Sequence, residues 1–214
     1  MNEAAWKRLI KQVREGYVVP VIGTQLLRDS QGVAYEAHVA AHLLRLHGEE
    51  PPAAGLTRGR ELEEAVTRLK GRVNLQDLYC DVHDAWAEVA GSGVAAVPEA
   101  LQQLAAITDF RLFVTLTPDN LLARALRQRR PVNEVVHAPR QASEHAGDLA
   151  VDWATRPAEA HVLYLLGRAS PLPTYAIHEE DLLEFSHNLI AQASHVPQRF
   201  IDELRRKGVL LLGC

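Results

Sequence analysis

The chain has 214 residues, of which 47% are hydrophobic and 23% charged, and a formal net charge of −4. That length suits one α/β domain with a sizeable core, the composition excludes wholesale disorder, and the acidic balance gives no footprint for nucleic acid or an anionic membrane. Two cysteines, Cys80 and Cys214, cannot make a disulfide framework and point to a reduced, cytoplasmic setting.

The first sixteen residues, MNEAAWKRLIKQVREG, alternate charge with apolar side chains, so they read as neither a signal peptide nor a membrane span. Residues 3–15 are a predicted amphipathic helix with Trp6, Leu9, Ile10 and Val13 on one face and Gly16 ending it. Tyr17 to Ile22 form a continuous apolar run, the mark of a strand covered on both faces. A helix is expected over 35–47 with Val39, Ala40, Leu43 and Leu46 inward, then a break at PPAAG, 51–55. Residues 58–89 read as wholly helical, with Leu75, Leu78, Tyr79, Val82, Trp86 and Val89 on one stripe and a stop at GSG, 91–93. The stretch 48–95 is therefore expected to be a small helical insertion.

A helix at 98–107 precedes predicted strands at 111–115, 133–137, 161–166 and 209–213, with helices at 119–129, 180–193 and 197–207 and a polar loop over 139–158. This alternation predicts an α/β fold of Rossmann-like kind: a central parallel sheet flanked by helices and joined by right-handed crossovers.

Three apolar runs break at a Gly, Thr or Asp: YVVPVIGTQLL (17–27), FRLFVTLTPDNLL (110–122) and VLYLLGRAS (162–170). Parallel sheets offer ligands their groups just past such strand ends. Gly23 could present backbone N–H groups to a pyrophosphate, or simply make a tight turn. Pro118 and Asp119 suit the start and cap of the following helix.

Taken together, VIGTQLL, TLTPDNLL and YLLGR resemble, in order and spacing, the motifs of SIR2-like (sirtuin-type) domains: a Gly-rich loop, a Thr-x-Asn-x-Asp segment followed by two leucines, and a strand ending in His-Gly. PLPTYAIHEEDLLEF (171–185) and FIDELRRKGVLLLGC (200–214) resemble later parts of the same fold. The resemblance covers almost the whole chain and lies nearest the divergent prokaryotic immune members, some joined to a TIR domain. It implies a single domain over 1–214, the front of a longer protein, that binds NAD or an ADP-ribose-like nucleotide through Gly23, Thr24, Gln25, Thr115, Thr117, Asp119 and Gly167, without a metal. It further implies self-association or a C-terminal effector domain as partner.

Active members of the family cleave the nicotinamide–ribose bond with an Asn and a basic His. Their places hold Thr117 and Leu166, and a hydrocarbon accepts no proton. His161, at the other end of that strand, lies more than ~15 Å from Leu166 at the usual strand rise. Gln25 replaces a second glycine, and its Cβ obstructs close approach to a pyrophosphate. The expectation is a catalytically degenerate module of a defence or signalling protein, with no catalytic residue. The alternatives are an NAD glycohydrolase working around Thr117, Asp119 and Gln25, and a purely structural oligomerisation domain.

Other features read as ordinary. His38 and His42 lack a third metal ligand and belong to a helix surface, and the remaining histidines read as surface or packing residues. Arg127, Arg129 and Arg130 complement a helix end. Cys80 has no activating partner. Glu179, Glu180 and Asp181 support a helix start.

Overall fold

The computed structural model describes residues 2–52, 54–91, 97–140, 147–191 and 195–214. Five parallel strands form one sheet in the order β3-β4-β2-β1-β5: β1 Val18–Ile22, β2 Leu112–Thr115, β3 Val132–Val136, β4 Ala160–Tyr164 and β5 Gly208–Leu212. The helices are α1 Glu3–Arg14, α2 Tyr35–Leu46, α3 Glu61–Leu69, α4 Leu75–Gly91, α5 Glu99–Ala105, α6 Leu121–Arg127, α7 Glu179–Ala191 and α8 Gln198–Arg205. The α/β sheet expected from the alternation of patterns is present. Among the described residues no helix is long and apolar enough to cross a membrane.

Every residue of β1 and β4 is buried, which explains their unbroken apolar character: such strands are covered on both faces. Val18 and Ile22 face a large core built with α2 to α6, whereas Val19 and Val21 face a smaller one closed by Phe200 of α8. The chain steps from β1 to β2, yet the β4-to-β5 crossover returns past both of them. Reversals of this kind open a crevice beyond the carboxyl ends of the strands.

Four local expectations change. Residues 58–89 are two helices, because the chain turns between them at Gly71 with φ of +90°. Both pack into the main core with α2, so the insertion is part of that core. In α2 Leu44 is buried and Leu46, the last residue of the helix, is exposed. The apolar face of α1 is only partly covered: Leu9 and Val13 touch the core, while Trp6 stays 52% exposed. β4 ends at Tyr164, so Leu166 lies in the turn beyond the strand. The expected stop at 91–93 lies mostly outside the described residues, as do parts of the 139–158 loop and of the 180–193 helix.

Candidate functional site

Past the carboxyl edge of the sheet lies a cleft of about 300 Å³, and Gly23 after β1, Leu116 after β2, Leu166 after β4 and Cys214 after β5 all line it. Thr24, Glu36, Arg60, Glu63, Ile177, His178 and Leu182 complete most of its wall. Of the residues anticipated for a ligand, only Gly23, Thr24 and Leu166 meet here. Asp119 lines a different hollow beside Trp86 and Arg168, and Gln25 faces a third, beside Arg28, Asp29 and His38.

The turn after β1 is built to meet the end of β5. Gly23 N–H donates to the Leu212 carbonyl (2.9 Å) and Gln25 N–H to the Gly213 carbonyl (2.9 Å). Leu26 and Leu27 N–H close the 3₁₀ turn Thr24–Leu26 on the carbonyls of Gly23 and Thr24. A Cβ on Gly23 would sit 2.4 Å from the Gly213 carbonyl oxygen and 2.8 Å from Cys214 Cα. The glycine is thus required by close backbone packing within the protein. A pyrophosphate cradle needs unengaged N–H groups, and most of those in this turn already have acceptors. The Gln25 side-chain oxygen accepts from Arg28 and, at 3.4 Å, from Arg58 Nε, which ties the turn to the loop before α3.

Most polar groups of the turn after β2 are likewise engaged locally. The Thr115 and Thr117 hydroxyls bond each other at 2.8 Å, both residues being 2% exposed, and Thr117 N–H also donates to Thr115 Oγ1 (3.2 Å). Asp119, one residue before the N-cap Asn120, accepts from Leu121 N–H (2.8 Å) at Oδ1, so it supports the helix start from just outside it and is not the cap itself. Burial raises the Asp119 carboxyl above its usual range, against the opposing hydrogen bonds from Thr117 and Leu121, and its Oδ2 has no partner among the described residues. After β4, Gly167 takes φ of +81°, and a Cβ there would lie 2.3 Å from the Thr174 carbonyl oxygen. Its service is to let the 174–176 segment pair with the turn, with Ala176 N–H donating to the Leu166 carbonyl at 2.9 Å.

Two cleft-lining side chains keep unused hydrogen-bonding capacity, and neither was singled out from the sequence. Glu36, in the first turn of α2, has a buried Oε2 without a partner among the described residues. Burial pushes its carboxyl up to about 7, aided by the nearby Glu61 and Glu63 and opposed by bonds from Leu62 N–H and the Thr24 hydroxyl. His178 is 6% exposed, and its Nε2 is buried without a partner among the described residues. Its Nδ1 accepts from Asp181 N–H (3.2 Å), while Asp181 Oδ2 accepts from the N–H groups of His178 (3.3 Å) and Ile177 (2.8 Å). This is a reciprocal cap at the start of α7. Asp181 is fully buried and is also bonded by the Tyr79 hydroxyl and Arg140, both at 2.6 Å. Because Nδ1 must accept a backbone proton, the His178 proton sits on Nε2.

The spacing of His178 and Asp181 is the signal that could have pointed to the cap. An acidic residue in a first helical turn, as Glu36 is, signals only favourable dipole placement.

Several of the other histidines and arginines have local partners. His38 meets Asp29 at 2.8 Å and His42 meets Glu88 at 3.4 Å, so the two rings serve different carboxylates. His161, 1% exposed, packs edge-on to Trp153 with ring centroids 5.6 Å apart. Arg127 pairs with Glu134, and Arg130 donates to the carbonyls of Thr108 (2.9 Å) and Phe110 (2.7 Å), stitching α6 to the start of β2. Among the described residues no group of three or more His, Cys, Asp or Glu could hold a metal ion. No family model matches the chain, and no curated protein matches it.

Proposed function

We propose that this chain is a catalytically degenerate SIR2-like module that binds NAD or an ADP-ribose-like nucleotide in the carboxyl-edge cleft and acts in a prokaryotic defence or signalling protein. The observation that carries the binding part is the cleft itself: residues from beyond each of β1, β2, β4 and β5 line it, at the place where open parallel sheets take ligands. The defence setting rests on the order of the sequence motifs alone. Degeneracy is supported at both altered positions, since Leu166 offers no proton acceptor and the Thr117 hydroxyl is engaged by Thr115. The test is a thermal-shift titration with NAD and ADP-ribose alongside a nicotinamide-release assay. A ligand at a hundred times its Kd adds about 2.7 kcal/mol of stability. The proposal expects that shift without nicotinamide release, and no shift with either nucleotide would overturn it.

One observation favours an NAD glycohydrolase as the second reading. Glu36, raised to about 7, lines the same cleft as Leu166, so a carboxylate of useful basicity adjoins the site. In that reaction Glu36 would take a proton from water as its oxygen bonds the anomeric carbon. The nicotinamide–ribose bond would break with its electron pair leaving on the nicotinamide nitrogen. Nicotinamide release that disappears in Glu36→Gln would establish this reading over the first.

The structural reading, self-association, draws on β5. That edge strand carries no charge and leaves Val209 53% and Leu211 64% exposed, as natural sheets usually avoid. Sedimentation velocity of wild type and Leu211→Lys tests it, with a dimer that the substitution dissociates as the supporting result and a monomeric wild type as the contrary one.

A further inference from the structure

The cleft wall is largely hydrocarbon from Leu116, Leu166, Ile177 and Leu182, interrupted by a few polar groups. Glu36 Oε2 and His178 Nε2 stand out among these because both are buried and both lack a partner among the described residues. Buried polar atoms are nearly always bonded, so two such atoms on residues of one cleft call for a common explanation.

Their chemistry narrows the ligand. The reciprocal cap with Asp181 makes His178 Nδ1 an acceptor, so Nε2 is a donor whether or not the ring gains a second proton. The Glu36 carboxylate is an acceptor. A hydroxyl offers one proton and two lone pairs, and a vicinal diol can donate to one wall while accepting from the other. An anion fits badly. Glu36 and Glu63 both line the cleft, and Arg60, the one arginine there among the described residues, is already held by Glu63. The hydrocarbon side chains suit the carbon faces of a sugar ring.

We infer that Glu36 and His178 form a hydroxyl-binding pair for the ribose diol of the ligand, leaving any phosphate outside the cleft. This deepens the nucleotide-binding reading above and rests on it.

The test measures binding to the full chain by isothermal titration calorimetry with adenosine, 2′,3′-dideoxyadenosine and ribose. Glu36→Gln keeps the side-chain shape. His178→Asn keeps an oxygen able to cap Asp181 N–H while removing the Nε2 donor, so α7 stays anchored. Thermal melts of both variants confirm that they fold. Adenosine is expected to bind wild type at least about tenfold more tightly than its dideoxy analogue, and each substitution is expected to weaken adenosine by about tenfold without weakening the analogue.

Equal wild-type affinity for adenosine and its analogue, or full-strength adenosine binding in both variants, overturns the pair while leaving the nucleotide reading intact. Ribose binding that depends on Glu36 and His178, without any gain from adenine, upholds the pair and overturns the nucleotide reading. Binding of none of the three probes overturns both.

Discussion

The turns after β1 and β2 and the Glu36–His178 wall border the same end of the sheet, yet they use their polar groups in opposite ways. In the turns, Gly23, Gln25, Thr115 and Thr117 direct hydrogen bonds to Leu212, Gly213 and one another. In the wall, Glu36 Oε2 and His178 Nε2 stay unpartnered among the described residues although buried. The lesson is that most of a motif-like turn can be explained by the fold, with Asp119 Oδ2 as the exception, whereas a ligand is sought where hydrogen-bonding capacity is left over. A buried polar group without a partner costs about 1–3 kcal/mol, which a ligand can recover.

The sharpest way to break this contrast is to remove the anchor behind the wall. Asp181→Ala withdraws the acceptor for Ile177 and His178 N–H, the Tyr79 hydroxyl and Arg140, and should lower unfolding stability by about 3–5 kcal/mol in urea titrations. A loss below 1 kcal/mol, about that of one ordinary hydrogen bond, would mean that His178 is not held as described.

Next comes the pH dependence of Glu36. Its carboxyl titrates at about 7 in the folded chain against an ordinary 4.5, so between those values the native state binds more protons than the unfolded one. Stability from this group is intact below pH 4.5, falls as pH rises to 7, and is lost above it. The total is roughly 3 kcal/mol. The groups acting on the carboxyl are Glu61 and Glu63, which raise it, and Leu62 N–H and the Thr24 hydroxyl, which lower it. Glu36→Gln should therefore gain stability relative to wild type at pH 8 and lose that advantage at pH 4.5. Parallel pH profiles for the two proteins would refute the assignment.

Gly167→Ala addresses the structural role of the turns. The added Cβ meets the Thr174 carbonyl oxygen at 2.3 Å in a backbone of φ +81°, and a destabilisation of about 2–3 kcal/mol should appear in thermal melts. Thr117→Val is the mildest change, removing one of two mutually bonded hydroxyls for about 1 kcal/mol. It should leave nucleotide affinity unchanged in calorimetry, whereas a large affinity loss would return Thr117 to the site.

Much of the fold was legible because it is written in local pattern. Buried strands such as VVPVI and AHVLY are continuous apolar runs, and the α4 stripe from Leu78 to Val89 keeps helical spacing and is buried. The helix break at Gly71 was not legible, since the periodicity on its two sides was read as one run. The site was less legible for a different reason. Gly23 reads as a phosphate-binding glycine until Gly213, 190 residues later in the chain, is seen against it. Glu36 and His178 matter because of what fails to bond them, a property of the assembled core that no spacing encodes. The His178–Asp181 cap was accessible from sequence, while the orientation it imposes on the ring was not.

The most direct measurement is a crystal structure of the chain with ADP-ribose. The account predicts ribose hydroxyl oxygens within hydrogen-bonding distance of Glu36 Oε2 and His178 Nε2, with the phosphates outside the 300 Å³ cleft. Phosphates cradled by the Gly23–Leu27 turn, or a ribose bonded to Asp119 while Glu36 and His178 remain bare, would contradict it.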